Sequence, residues 1–591
     1  MSLFDSASLV VTPSGYKEAK LYSIKPTDGS GDLVVTRATT ATRVNSAGLI
    51  ESVPYNFLER SQEFDNATFW GVSQSSISAN ATVAPDGTNT ADKLIESNTN
   101  SIHELYTNVP YTLIAGSYYT ESIFAKSAER TQIAFNIVSG GFSKGSRVIA
   151  NLSNGTLGTI TNFGDITDSS ATITNVGNGW YRISITLKVV TTDNFYVSPA
   201  PVLNDNVSYT GNGTSGVYIW GAQLVTGSSA KEYFPTTDRL NVPRLDYTNS
   251  SCPSILVEPQ RTNLALYSEQ FNNAAWSKGT ITTVTANTVI SPDGTQNADT
   301  VTCNGSGVLF TRQITYLATT AKCSNSIYAK KGNTRYFAFR NFGDSGGKHD
   351  VFDFDTKTWT QNTSAVLSYE ELDNGWFRLK SVNSDVLGNY FISFFPTENT
   401  SGEEVDTVNN KNVYVWGAQA EVGSYATSYI PTVASSVTRN ADVISKTGIS
   451  SLIGQTEGVM YFDLKTIANS DFKRLSINGG SYVNSIFFDF DNTNTLYAKV
   501  FNGGSAVATL IASGINIANR NKIAIAYKNN DFSFYVNGTQ VASQSSGSIP
   551  SGLANYEFSL ASNQIFEGNI NTAALWKTRL SNTELATLTT I

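Results

Sequence analysis

Short runs of alternating apolar and polar residues, separated by turn residues, recur along the whole chain. In Gly179-Trp180-Tyr181-Arg182-Ile183-Ser184-Ile185-Thr186-Leu187 the apolar positions Ile183, Ile185 and Leu187 fall on one face. A period of two is the signature of a half-buried strand. Tyr118-Tyr119-Thr120-Glu121-Ser122-Ile123-Phe124-Ala125-Lys126, Val217-Tyr218-Ile219-Trp220 and Asp32-Leu33-Val34-Val35-Thr36-Arg37 read the same way. So do Tyr461-Phe462-Asp463-Leu464, Ser485-Ile486-Phe487-Phe488-Asp489-Phe490, Lys522-Ile523-Ala524-Ile525-Ala526-Tyr527 and Phe532-Ser533-Phe534-Tyr535-Val536. Val536-Asn537-Gly538-Thr539 predicts a tight hairpin, because that turn needs positive φ at both central residues. No helical period of useful length interrupts the series until Ser581-Asn582-Thr583-Glu584, a capping box that opens one short helix. Regularly spaced short strands with turn signals predict β-sandwiches.

The pattern is written twice. Ser61-Gln62-Glu63-Phe64, Trp70, Pro85-Asp86-Gly87-Thr88, Asn178-Gly179-Trp180, Trp220-Gly221-Ala222-Gln223 and Tyr233-Phe234-Pro235-Thr236 form the first series. Ser268-Glu269-Gln270-Phe271, Trp276, Pro292-Asp293-Gly294-Thr295, Asn374-Gly375-Trp376, Trp416-Gly417-Ala418-Gln419 and Tyr429-Ile430-Pro431-Thr432 repeat it in the same order. The offset is 207 residues at Asp86 (293 − 86) and 196 at Trp220 (416 − 220). A unit of that length is a duplicated domain, longer than the roughly 20–50 residues of a solenoid repeat. The expected organisation is a packing or anchoring segment at 1–55, a first jelly roll at 56–245, a second at 246–440, and a third sandwich of different pattern at 441–591.

Composition narrows the function. Charged residues make up 15% of the 591 and the formal charge is −8, with no basic stripe to follow a phosphate backbone. Nucleic-acid binding is not expected. No uninterrupted apolar run reaches the ~18 residues of a membrane span, and the first residues lack the pattern of a secretory signal. Cys252, Cys303 and Cys323 fit neither a disulfide framework nor a zinc spacing; three inert thiols and synthesis in a reducing cytoplasm are expected. His103 and His349 are the only histidines and sit at non-equivalent places in the two copies. Neither belongs to a nucleophile motif, and there is no phosphate-binding loop.

The duplicated motif set, from Asn263-Leu264 through Tyr267-Ser268-Glu269-Gln270-Phe271 to Tyr429-Ile430-Pro431-Thr432, resembles the carbohydrate-binding-module-like jelly rolls of bacteriophage virion proteins. These occur in capsid decorations, head fibres and tail fibres, notably in phages of Bacteroidota hosts, including crAss-like phages. The third region is similar to concanavalin-A-like, laminin-G-like domains, on Lys522-Ile523-Ala524-Ile525-Ala526-Tyr527, Tyr535-Val536-Asn537-Gly538 and Gly568-Asn569-Ile570 … Leu575-Trp576 … Leu580-Ser581-Asn582-Thr583-Glu584. The resemblance implies an all-β virion surface protein made in the host cytoplasm. Its implied partners are other capsid or tail proteins, further copies of itself as a homo-oligomer (a trimer first), and host or mucosal glycans. A purely structural decoration and a polysaccharide depolymerase are the alternatives.

Two sets of residues invite functional roles. The repeated tryptophans are expected to be core anchors. Trp359, in Asp355-Thr356-Lys357-Thr358-Trp359-Thr360-Gln361-Asn362, reads as a hairpin tip where the first copy has Leu157, and it is the candidate glycan-binding aromatic. Asp489, Asp491 and Asn494, within Asp489-Phe490-Asp491-Asn492-Thr493-Asn494, offer oxygen ligands of the kind calcium takes; the resemblance to laminin-G-like domains adds weight to that. Glycoside hydrolysis needs a pair of carboxylates about 5–10 Å apart. The Glu-x-Asp-x-x-Glu pattern of concanavalin-like glucanases is absent from 441–591, so no enzyme is expected.

Overall fold

In a computed structural model, all residues are described except 1, 249, 343–347, 467–472, 492–493 and 561–563, and the side chains of 316–320, 341–342 and 384–387. The chain is all-β, 55% strand and 3% helix. It divides into two units, one of Pro54–Arg239 with Thr285–Asp299 and one of Met1–Val53, Leu240–Val284 and Thr300–Ile591.

The first unit carries a two-sheet sandwich. One sheet runs Ser169–Gly177, Trp180–Lys188, Tyr118–Ser127, Gly216–Thr226, Ala91–Glu96, Ser75–Thr82; the other is built around Asp193–Val202, Gln132–Ser139 and Gly145–Asn151. The alternation in Trp180–Lys188 does what its period implies: Ile183, Ile185 and Leu187 are all fully buried, against Ile133, Phe135, Val148 and Val197.

The second jelly roll, in the other unit, keeps this plan with one change. Thr311–Lys331 and Trp376–Thr397 are continuous strands of 21 and 22 residues. The latter pairs with both Thr311–Lys331 and Tyr336–Phe342. The first copy covers the same ground with two strands, Trp180–Lys188 and Asp193–Val202.

The motifs shared by the two copies are scaffold. Gly221 and Gly417 have φ of +62° and +61°. Each lies at a bulge where the register slips between tryptophan and glutamine, a position that suits glycine. Gln223 Nε2 donates to the carbonyls of Lys231 and Glu232, and Gln419 Nε2 to those of Thr427 and Ser428. Asn56 ties Ala222 to Phe234, and Asn263 ties Ala418 to Ile430. Trp70, Trp180, Trp220, Trp276, Trp376 and Trp416 are all buried.

The third sandwich is not made from 441–591 alone. Leu9–Lys17 pairs with Gly568–Trp576 on one side and Lys20–Lys25 on the other, and Leu33–Thr36 pairs with Val443–Lys446. Strands of the first 53 residues thus bridge the sandwich's two halves, and Leu9, Val11, Leu21, Leu33 and Val35 lie in its core with Phe462, Phe488 and Tyr556. The reason is apolar burial: Leu9 and Val11 point the same way from one strand and have no core of their own. The Asn537-Gly538 turn has φ of +49° and +84°. Ser581 and Glu584 close the capping box on the helix Asn582–Thr589.

Candidate functional site

Trp359 is not at a hairpin tip. It lies in the strand Thr358–Thr360, opposite Phe352, with the ring centroids 5.1 Å apart. Half-buried, it packs on the second jelly roll's core, and its Nε1 has no hydrogen-bond partner. Leu157 holds the matching place opposite Ala150.

In the oxygen-rich turn, the carboxylates expected to take calcium already have partners. Asp489 is 1% exposed, and its carboxylate receives Lys499 Nζ at 2.8 Å and Arg474 Nε at 3.3 Å. Two cations already neutralise it, so a divalent ion would meet repulsion. Asp491 accepts from the Thr495 amide at 3.0 Å and the Tyr497 hydroxyl at 3.3 Å. Asn494 is a left-handed turn residue, φ +56°, and Asn492 and Thr493 lie outside the described residues. Among the described residues no group of three or more His, Cys, Asp or Glu side chains could hold a metal.

The histidines are structural. His103 bridges the carbonyls of Gln74 and Tyr209. His349, fully buried, hydrogen-bonds Ser393; burial, then the nearby Arg340 and Arg312, hold it well below the usual imidazole range. The cysteines are free thiols, and burial pushes Cys303 and Cys323 up to about 11, leaving them unreactive.

The chemistry of the larger unit concentrates where its segments meet. Arg37 donates to Asp442 at 2.6 Å, Arg244 to Glu258 at 2.7 Å and also to Asp442, and Arg439 to Glu258 at 2.7 Å. Ser428 adds its amide to Glu258 at 2.8 Å. Burial raises both carboxylates, but the surrounding guanidiniums outweigh it and hold Glu258 and Asp442 below the ordinary carboxylate range. Burial pulls Arg37 down to about 10. This hub joins the first 53 residues, the connector before the second jelly roll and the strand that leaves it.

Beside the hub opens a cleft of about 1080 Å³. Two hairpins frame it. Ala41–Val44 pairs with Ile50–Val53, with Arg43 on Glu51 at 3.1 Å. Leu245–Asp246 pairs with Ser254–Val257, flanked by Arg244 and Glu258. The second jelly roll supplies Glu370, bonded to Lys380, with 36% and 16% of these side chains open to water. Burial raises Glu370, yet Lys380 and Arg378 beside it hold it below the usual glutamate value. The third sandwich supplies Lys465, Arg520, Asn569 and Asn571. Arg520 grips Asp463 through Nε at 2.8 Å and Nη2 at 2.5 Å.

Neither Trp359 nor the Asp489 group lines this cleft. Reading the repeat from Ser61 onward missed its upstream part: Arg43…Glu51 and Arg244…Glu258 are two versions of one hairpin, disguised by loops of different length. Glu51 and Glu258 keep the 207-residue offset (258 − 51), and that was the available signal.

The family profile of the concanavalin A-like lectin/glucanases superfamily matches residues 464–586. A search of curated proteins finds no match. Among solved structures, a CBM40 domain of Ruminococcus gnavus IT-sialidase, bound to α2,3 sialyllactose, is 18% identical, covering 24% of this chain and 86% of its own, with a TM-score of 0.21. The tandem CBM22-1–CBM22-2 of Paenibacillus barcinonensis Xyn10C is 10% identical over 66% of this chain and 100% of its own, TM-score 0.19. Domains LG4-5 of the mouse laminin α1 chain are 11% identical over 47% and 89%, TM-score 0.18. Among the described residues no helix is long and apolar enough to cross a membrane.

Proposed function

We propose that the protein is a glycan adhesin on the surface of a virion, a head fibre, capsid decoration or tail fibre, that holds host or mucosal glycans weakly and many times over. The observation that carries the adhesive part is the polar cleft: its third-sandwich wall, Lys465, Arg520, Asn569 and Asn571, lies wholly within the stretch matched by the lectin/glucanase profile. The virion part rests on the motif resemblance of the duplicated jelly rolls. Binding rather than hydrolysis is supported by the two glutamates that the second jelly roll contributes to the cleft. Glu370 is bonded to Lys380, and Glu371 to Lys357 at 2.7 Å. Each is bonded to a lysine, whereas a general acid sits in an apolar pocket.

A millimolar contact amounts to only about −4 kcal/mol. Repetition around a homo-oligomer, for which a trimer is the first expectation, raises effective concentration and so avidity. A glycan array probed with the purified oligomer and with whole particles tests the reading: signal on a defined set of glycans is expected. No signal on either sample leaves a purely structural decoration. Release of reducing ends from host polysaccharide by the purified protein overturns the non-catalytic part.

A further inference from the structure

The cleft walls also indicate which glycans fit. Nearly every charge on them is cancelled by the protein itself. Arg43 faces Glu51, Arg244 faces Glu258, Lys380 faces Glu370, Lys357 faces Glu371, and Arg520 faces Asp463. The lining charges without an ion partner in hydrogen-bond range are Lys465, Arg378, Asp246 and Asp373, two of each sign. A ligand carboxylate or sulfate entering here meets as many anions as cations, so it gains little Coulomb energy for the water it gives up.

What the wall offers instead is adjacent donors and acceptors. Asn569 and Asn571 sit on the strand Gly568–Trp576, Asn571 at a bulge in the pairing with Glu457–Thr466, and both line the cleft. Lys465 stands opposite Asn569 on the neighbouring strand. Asn569 spends its amide nitrogen on Ser254 at 2.8 Å, and Asn571 spends its own on Asp463 at 3.1 Å. In each side chain the carbonyl oxygen is left to accept from a ligand, and Lys465 and Arg520 line the cleft with them. A hydroxyl both donates and accepts, and vicinal hydroxyls match such a row. The volume, about 1080 Å³, exceeds the roughly 300–1,000 Å³ of a drug-sized site and has room for several sugar rings.

We propose that this cleft binds an uncharged, hydroxyl-rich oligosaccharide along the Lys465–Asn569–Asn571–Arg520 row, and discriminates against sialylated, uronic and sulfated glycans. This rests on the adhesive reading above. The test is titration of the full-length protein, by calorimetry, with a panel of neutral oligosaccharides and their acidic counterparts, from about 0.05 to 0.5 M salt. Neutral sugars are expected to bind with less than about twofold change across that range, as interactions without net charge are little screened. Asn569→Ala and Asn571→Ala are expected to weaken binding about fivefold each, the loss of one hydrogen bond, with thermal melts showing both variants folded. Lys465→Met, at an exposed side chain, gives a second reading free of folding effects and is expected to weaken neutral binding in the same direction. Binding confined to acidic glycans and falling steeply with salt overturns this inference, as does neutral binding untouched by all three variants; either leaves adhesion standing. Absence of binding to every member of the panel overturns the adhesive reading too.

Discussion

The two jelly rolls share a scaffold but treat one interior position in opposite ways. Ser122 and Ser326 are equivalent, since each accepts from the Nη2 of an arginine on the neighbouring strand, Arg182 or Arg378. The residue before them is Glu121 in one copy and Asn325 in the other. Asn325 is fully satisfied: it donates to the Phe391 carbonyl and accepts from the Tyr390 hydroxyl. Glu121 is 0% exposed, and neither carboxyl oxygen has a partner. Burial alone pushes it well above the usual glutamate range. The strand registers that match Pro201 with Pro396 place Tyr390 on Phe195, which is equally buried but has no hydroxyl to offer. The larger unit also buries carboxylates, but Glu258 and Asp442 are each wrapped by arginines. A sandwich core accepts a buried acid either alone, as at Glu121, or paired, as at Glu258 and Asp442 in the larger unit and at Glu96 beside Arg130 in the smaller one.

The contrast is broken most severely from the paired side. Arg244→Met leaves Glu258 and Asp442 short of their shared cation and is expected to destabilise the larger unit by about 3–5 kcal/mol, read as a lowered midpoint in denaturant while the transition of the smaller unit stays put. From the other side, Glu121→Leu removes an unpaired buried acid and is expected to stabilise the smaller unit by about 1–3 kcal/mol; a lower melting temperature would mean that Glu121 has a partner after all.

Acidity sharpens the same comparison without mutation. Glu258 and Asp442 are depressed, so their stabilisation is present above the ordinary carboxylate range near pH 4 and is lost as pH falls below it. Glu121 is raised, and burial pushes Asp92, in the same unit, up to about 6. The contribution of Asp92 is full below about pH 4 and is lost as pH rises through about 6, and that of Glu121, raised in the same direction, is likewise lost toward higher pH. Calorimetry from pH 7.5 to 5 is therefore expected to raise the smaller unit's transition relative to the larger one's; below pH 4 the larger should fall steeply. Parallel movement of both transitions would remove the distinction. The smallest effect expected is none: millimolar calcium or a chelator should leave the larger unit's melting temperature unchanged, because Asp489 is already neutralised by Lys499 and Arg474.

What could be read from sequence was whatever a short segment decides alone. The Ile183–Leu187 alternation, the Asn537-Gly538 turn, the Ser581 cap and the bulge glycine of Trp-Gly-Ala-Gln each carry their physics within a few residues. Trp359 was misplaced because a lone aromatic among turn formers looks the same at a tip and on an edge strand facing Phe352. Asp489 looked like a cation ligand because its own neutralising cations stand on the neighbouring strands. The cleft was invisible because its walls come from many short stretches scattered between Thr12 and Asn571. Its best trace, a duplicated arginine-to-glutamate hairpin, was obscured by unequal loops.

The strand Leu9–Lys17 has a consequence in time. Ser8 bonds Leu575, 567 residues further on, and the sheet cannot close between Lys20–Lys25 and Gly568–Trp576 until the ribosome has made both. The unit of the first jelly roll, Pro54–Arg239 with Thr285–Asp299, is complete in sequence much earlier. For most of synthesis Leu9, Val11 and Leu21 must wait with their apolar faces uncovered, at the risk that transient strand edges carry. Closing such a long loop is slow more than it is unstable. Maturation of the lectin-like module is therefore clocked by completion of translation, and fragments released early are the ones expected to aggregate.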